Sequence, residues 1–259
     1  MERNERRKEP PFPVCELLGV PVSATTMEQV TDYLENYIDE LRGQYVCVGN
    51  VHTTVMAFED ADYMRVQRRA AFVLPDGKPL SVLSRKRGFP KAERVAGPDL
   101  MKQMFLKGAA GNGLRHFFYG STEETLRLLQ EKLRAQYPGL QLAGMYAPPF
   151  RELTEEENGR VISLINAAKP DMIWIGLGAP KQENWMAEHE GQLSGVMLGV
   201  GAGFDFHAGT VKRAPKWMQR LSLEWLYRLT QDPKRLWKRY LITNRKFIRE
   251  TAREGRISK

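Results

Sequence analysis

At 259 residues, with 42% hydrophobic and 27% charged residues, the chain has ordinary globular composition and is long enough for one substantial core. No stretch approaches the roughly 18–20 uninterrupted apolar residues of a membrane span. The two cysteines, Cys15 and Cys47, support neither a disulfide framework nor a zinc site, so a reduced cytosolic setting is expected.

The net charge of +8 is uneven. Residues 210–259 hold fifteen Lys/Arg against four Asp/Glu, whereas the remainder holds 24 against 27. A near-neutral body with a strongly basic end points to a polyanionic partner, either nucleic acid or an acidic membrane face.

The leader MERNERRKEPPFP (1–13) is charged and proline-bearing, lacks the apolar h-region of a secretory signal, and reads as loose chain. VCELLGVPV (14–22) reads as a strand, followed by a helix start at Thr25-Thr26-Met27-Glu28 with apolar positions at Val30, Leu34, Ile38 and Leu41. YVCVGN (45–50) and AAFVLPDG (70–77) read as further strands, the latter ended by a Pro-Asp-Gly turn. RHFFYG (115–120) leads into an N-cap at Ser121 and an amphipathic helix. LQLAGMY (140–146), a helix from about Thr154 to Ala168, DMIWIGLG (171–178) and VMLGVGAGFDF (196–206) complete the pattern. This alternation predicts an α/β fold, a mainly parallel sheet with helices on both faces over residues 14–209. From about Lys212 strand signals stop, and residues 210–259 read as a helical appendage of two or three helices broken near Asp232-Pro233.

Ligands of such sheets bind at the carboxyl ends of the strands, so the residues there carry the chemical information. In Gly176–Glu183 a glycine loop precedes Pro180, Lys181 and Gln182 at a helix start. That arrangement suits a phosphate, and it equally suits a tight connection with a solvated lysine. The glycine loop 199–203, with Gly201 at its centre, allows close backbone approach to a ligand, and Asp205 beyond it is a candidate acceptor for ribose hydroxyls. Asp76, in a rigid turn after a buried strand, is a candidate general base, with plain turn chemistry as the alternative. His52 is weighted toward a structural role. Asp60-Ala61-Asp62 has the D-x-D form of metal-dependent sugar transferases but lies in a polar helical stretch away from any strand end, and no metal or other cofactor is assigned. Neither glycine loop has the spacing of a dinucleotide fingerprint.

Together, GNVHTTVMA, LPDGKPL, ERVAGPDLM, the FFYG strand, IGLGAPKQENW, GVGAGFDFHAG and KRAPKWMQRLSLEWLYRLTQDPKRL resemble the WecG/TagA/CpsF family of bacterial glycosyltransferases, in order, from about residue 14 to 240. The resemblance implies a Rossmann-like core and an inverting, metal-independent enzyme. Its UDP-sugar donor, typically of N-acetylmannosamine, would serve a polyprenyl-diphosphate-linked N-acetylglucosamine acceptor in cell-surface polymer synthesis such as teichoic acid. It also implies Asp76 as the base, Gln182 as a substrate contact, and Asn50 as the family asparagine after the second strand. Some members carry a threonine two residues before that asparagine; here it is Val48, so Thr53 or Thr54 is expected to supply the contact. Lys181 and Arg213 are the candidate cations for the leaving diphosphate. Appendage arginines are implied to close over the site, matching Arg228 and Arg235, with the third position at Lys238 and Arg239 adjacent.

In the appendage, Trp, Tyr and Leu alternate with Lys and Arg, a mixture suited to the headgroup layer of an anionic membrane. LEWLYRL (223–229) is expected to pack on the core and 234–256 to face the membrane. The expected location is cytoplasmic, peripheral on the inner face of the cell membrane, and a homo-oligomer is compatible with this reading. A nucleic-acid-binding protein explains the charge but gives Asp76, Gln182 and the glycine loops no task, so no nucleic-acid partner is expected. A nucleotide-sugar epimerase or dehydrogenase lacks its fingerprint.

Overall fold

The structure, a computed structural model, describes residues 11–215, 217–218, 224–231 and 233–257, with the side chains of 225, 228, 234–236, 238, 239, 256 and 257 outside that description. Its centre is an eight-stranded sheet: β1 (Val14–Leu17), β2 (Val20–Ser23), β3 (Tyr45–Gly49), β4 (Phe72–Pro75), β5 (Arg115–Gly120), β6 (Gln141–Tyr146), β7 (Met172–Gly176) and β8 (Val196–Gly199). They lie in the order β1-β2-β4-β3-β8-β7-β5-β6, and every pairing is parallel except β1 with β2.

That exception corrects the reading of residues 14–22 as one strand. Leu18 and Gly19 take φ of 52° and 81°, and two consecutive left-handed residues reverse the chain into a hairpin, pairing Leu17 with Val20. The strand expected over 196–206 is likewise too long. It stops at Gly199, and the chain turns through Gly201 (φ 52°) into a short helix. The cap expected at Ser121 is Thr122, whose hydroxyl accepts from the Thr125 amide.

Between the strands run α1 (Met27–Asn36), α2 (Val51–Glu59), α3 (Ala61–Arg69), α4 (Lys78–Lys86), α5 (Gly97–Ala109), α6 (Glu123–Gln136), α7 (Glu155–Ala167), α8 (Lys181–Glu188) and α9 (Gly203–Ala208). Alternate residues of the strands face opposite cores. Val46, Val48, Leu74, Phe118, Trp174 and Leu198 pack under α1, α5, α6 and α9. Tyr45, Cys47, Val73, Phe117, Ile175 and Met197 pack under α2, α3, α7 and α8. With both faces covered, a central parallel strand carries no polar side, which is why β3 is buried at all five positions. The core reaches into the stretch read as a leader: Phe12 packs edge-on against Tyr33 and Phe72, with ring centroids 5.5 and 5.3 Å apart.

Beyond the sheet follow α10 (Glu224–Gln231) and α11 (Pro233–Ile257). α11 lies along α2. Phe247 is inserted into the second core, and ion pairs from Lys246 to Glu59 and from Arg87 to Glu254 tie the helix down. No helix among the described residues is long and apolar enough to cross a membrane.

Candidate active site

The carboxyl ends of the four central strands, β4, β3, β8 and β7, open into a cleft of about 870 Å³. Each contributes one loop. β3 delivers Asn50, β4 delivers Asp76, β7 leads through Gly178 to Lys181 and Gln182, and β8 leads to Gly201. The fifth wall is α11, through Tyr240, Thr243, Asn244 and Phe247.

Asn50 is the N-cap of α2. Its Oδ1 accepts from the amides of His52 (2.9 Å) and Thr53 (3.2 Å), and the Thr53 hydroxyl accepts from the Asn50 amide at 2.8 Å. Thr53 and Thr54 both donate to the Asn50 carbonyl, at 3.0 and 2.9 Å. The first turn beneath the cleft is therefore cross-braced by the polar side chains singled out in the sequence. His52 also lines the cleft.

Asp76 is 28% exposed at the side chain. Its amide donates to the Gly49 carbonyl (2.8 Å), which locks the turn after β4 against the end of β3. Arg94, from the segment between α4 and α5, clamps it from the other side. Nε donates to the Asp76 carbonyl at 2.5 Å, and Nη2 lies 3.3 Å from Oδ1 and 2.8 Å from Glu224 Oε2. Lys78, the first residue of α4, adds a second cation to this rim.

Across the cleft, α8 starts at Lys181, directly after Pro180, as the sequence predicts. Lys181 is exposed, whereas Gln182 is only 4% exposed. The Gln182 side chain donates from Nε2 to Glu183 Oε1 (2.7 Å) and accepts at Oε1 from the Gly201 amide (3.0 Å). Gly201 sits in the left-handed region, so a side chain there would strain the loop that presents this N–H. Burial pushes the Glu183 carboxyl above its ordinary range, against the smaller pull of the Gln182 side chain, its own amide and the nearby Tyr63 hydroxyl.

Other expected contacts are placed differently. Asp205 lies on α9 with its carboxylate 3.4 Å from the Thr210 hydroxyl, and its neighbour Phe206 forms the cleft wall. Arg213 makes a bidentate pair with Asp99 (2.6 and 2.7 Å) and reaches Glu224 at 3.4 Å, rather than standing in the cleft. Burial alone would raise the Asp99 carboxyl, but the Arg213 guanidinium outweighs it and holds it below the usual range. The side chains of Arg228, Arg235, Lys238 and Arg239 lie outside the described residues. Asp60 of the D-x-D triplet caps α3, accepting from the amides of Asp62 and Tyr63.

Arg94, Lys78, Glu183 and Glu224 were not identified from the sequence. Arg94 falls inside the ERVAGPDLM stretch, so a motif signal was present, but it follows no strand and nothing local points it at Asp76. Glu183 directly follows Gln182 in the same motif.

The family model for the WecG/TagA/CpsF glycosyl transferases matches residues 15–259. The chain is similar to an N-acetylglucosaminyldiphosphoundecaprenol N-acetyl-beta-D-mannosaminyltransferase of Bacillus subtilis (strain 168), 34% identical over 86% of this chain and 85% of the relative. Proteins of the same description from Staphylococcus aureus (strain MW2) and Bacillus spizizenii are 32% and 31% identical. These matches cover 85% and 86% of this chain, and 86% and 84% of the relatives.

Proposed function

The chain belongs to the WecG/TagA/CpsF family and is a glycosyltransferase, and from that membership we propose that it transfers N-acetylmannosamine from a UDP donor to polyprenyl-diphosphate-linked N-acetylglucosamine. The observation that carries the assignment of roles is the placing of a half-buried carboxylate, Asp76, in one cleft with Lys181, Lys78 and the start of α8.

Asp76 takes the proton from the acceptor hydroxyl as its oxygen bonds to the anomeric carbon. The bond from that carbon to the diphosphate oxygen breaks on the opposite face, so the configuration inverts and UDP departs with the bonding pair. Charge on the departing diphosphate is met by Lys181, Lys78 and the positive end of the α8 dipole, with no metal ion required. Gln182, fixed by Glu183 and Gly201, contacts the sugar. Asn50 and Thr53 shape the wall beneath it.

The acceptor is a lipid, and the tail supports docking on an anionic membrane surface at its inner, cytoplasmic face. Trp237, Leu241 and Ile248 form one stripe of α11 at i, i+4, i+11 spacing, and are 49%, 62% and 68% exposed beside exposed Arg245 and Arg249.

The test is UDP release with a panel of UDP-sugars and a short-chain lipid-diphosphate-N-acetylglucosamine, in EDTA. The expected result is turnover by the wild type with UDP-N-acetylmannosamine and a loss of at least about 100-fold in kcat for Asp76→Ala. Retained turnover in the variant removes Asp76 as the base, and dependence on added metal removes the metal-free route.

A further inference from the structure

We propose that Glu183 is a positioning residue for the transfer, accepting a hydrogen bond from the Gln182 side-chain amide and so holding that amide in the orientation the substrate meets. The inference rests on the reading of Gln182 as a substrate contact.

The geometry leaves the amide one orientation. The Gly201 N–H is an obligate donor, so the atom facing it at 3.0 Å is the glutamine oxygen, and the nitrogen is left pointing at Glu183 Oε1. Glu183 must therefore accept. One N–H and one lone pair of the amide remain for a ligand. Gly199 closes the third side: a Cβ there would fall 3.1 Å from Gln182 Nε2 and 2.8 Å from Met186 Cε. Glutamine has three rotatable bonds, and without such a grip it would sample orientations in which the wrong end of the amide faces the sugar.

Glu183 itself is 1% exposed. Behind it the Tyr63 hydroxyl approaches both Glu183 and Gln67, yet neither that hydroxyl nor Glu183 Oε2 makes a hydrogen bond of regular geometry. A buried carboxyl with so little support is costly. Among the described residues, its one regular side-chain hydrogen bond to another residue is that from Gln182.

Four variants test this: Gln182→Ala, Glu183→Met, Glu183→Gln and the double Gln182→Ala/Glu183→Met, each followed by turnover and by hydrogen exchange of the Gly201 amide. Glu183→Met is expected to lose about tenfold in kcat/KM and to speed Gly201 exchange as Gln182→Ala does, with the double variant no worse than Gln182→Ala. Glu183→Gln, whose amide oxygen accepts the same bond, is expected within about threefold of wild-type turnover.

Losses that multiply in the double variant, or unchanged Gly201 exchange in Glu183→Met, overturn the proposal. So does a Glu183→Gln variant as slow as Glu183→Met, because the carboxylate then acts in its own right. If Glu183→Met does not fold, Gly199→Ala displaces the amide instead, and wild-type turnover in that variant overturns the proposal. Should the wild type use no UDP-sugar, the transferase roles assigned to the cleft fall, while Gly201 exchange still reports whether Glu183 holds the glutamine.

Discussion

Asp76 has its backbone pinned at both ends, by the Gly49 carbonyl and by Arg94, and this fixes where its carboxylate stands. Local sequence was enough to single out Asp76, because a Pro-Asp-Gly turn after an apolar strand is a short-range pattern. Arg94 was not, because its approach depends on a segment returning from the far side of α4. A second buried residue has a consequence for pH. The His116 Nδ1 accepts from the Trp174 indole N–H at 3.0 Å, an obligate donor, so the ring is neutral. Burial pushes its pKa down to about 4, against a smaller opposing effect of Asp171. The folded-state value lies below the ordinary 6.5, so this contribution is present in full above pH 6.5 and is lost as pH falls toward 4. Urea unfolding from pH 7 to 4 is expected to show a decline of on the order of 3 kcal/mol from this group, and His116→Gln to flatten that part of the curve.

Elements were legible where their signals were local. The helix beginning at Thr154 has a capping box with Glu157, and its limits follow from the sequence. Strand ends were less legible, because an apolar run continues through a glycine loop without marking where hydrogen bonding stops. Residues 196–206 illustrate this: Gly201 and Gly203 let the chain turn tightly, and a Cβ at Gly203 would fall 2.6 Å from Met101 Sδ. The cap of α2 separates stability from function at one site residue. Asn50→Ala removes the acceptor of two amides and is expected to cost about 1 kcal/mol in thermal unfolding. Asn50→Asp keeps that acceptor and is expected to keep wild-type stability, so a fall in its turnover measures Asn50's role in the cleft alone.

On the scale of the whole molecule, α10 is joined to the cleft through the Glu224 carboxylate. Glu224 of α10 binds Arg94 at 2.8 Å and Arg213 at 3.4 Å, and these arginines in turn hold Asp76 and Asp99. Glu224→Ala is expected to speed hydrogen exchange across α10 and to lower turnover several-fold, with core unfolding shifted by about 0.5 kcal/mol or less. If α10 stays protected, the bridge is not what holds it. Membrane docking is checked by co-sedimentation with vesicles. Leu241→Glu/Ile242→Glu removes two side chains that are each 62% exposed and is expected to weaken binding to anionic vesicles about tenfold or more.

The sequence by itself determined the alternating α/β architecture, the strand ends that carry Asn50, Asp76 and Gln182, the family, and the basic character of the tail. The family rests on the resemblance of seven motifs in order, and the others on periodicity, turn residues or composition, which are properties of chain segments. Tertiary structure decided the hairpin at the sheet edge, the pairing of Arg94 with Asp76 and of Arg213 with Asp99, the burial of Glu183 behind Gln182, and the closing of the cleft by α11. Apart from the hairpin, which turns locally at Leu18-Gly19, these contacts join residues brought together by packing on a sheet whose spatial order differs from its chain order. A charged side chain's partner is then set by which loops meet at the strand ends, and no local pattern encodes that meeting.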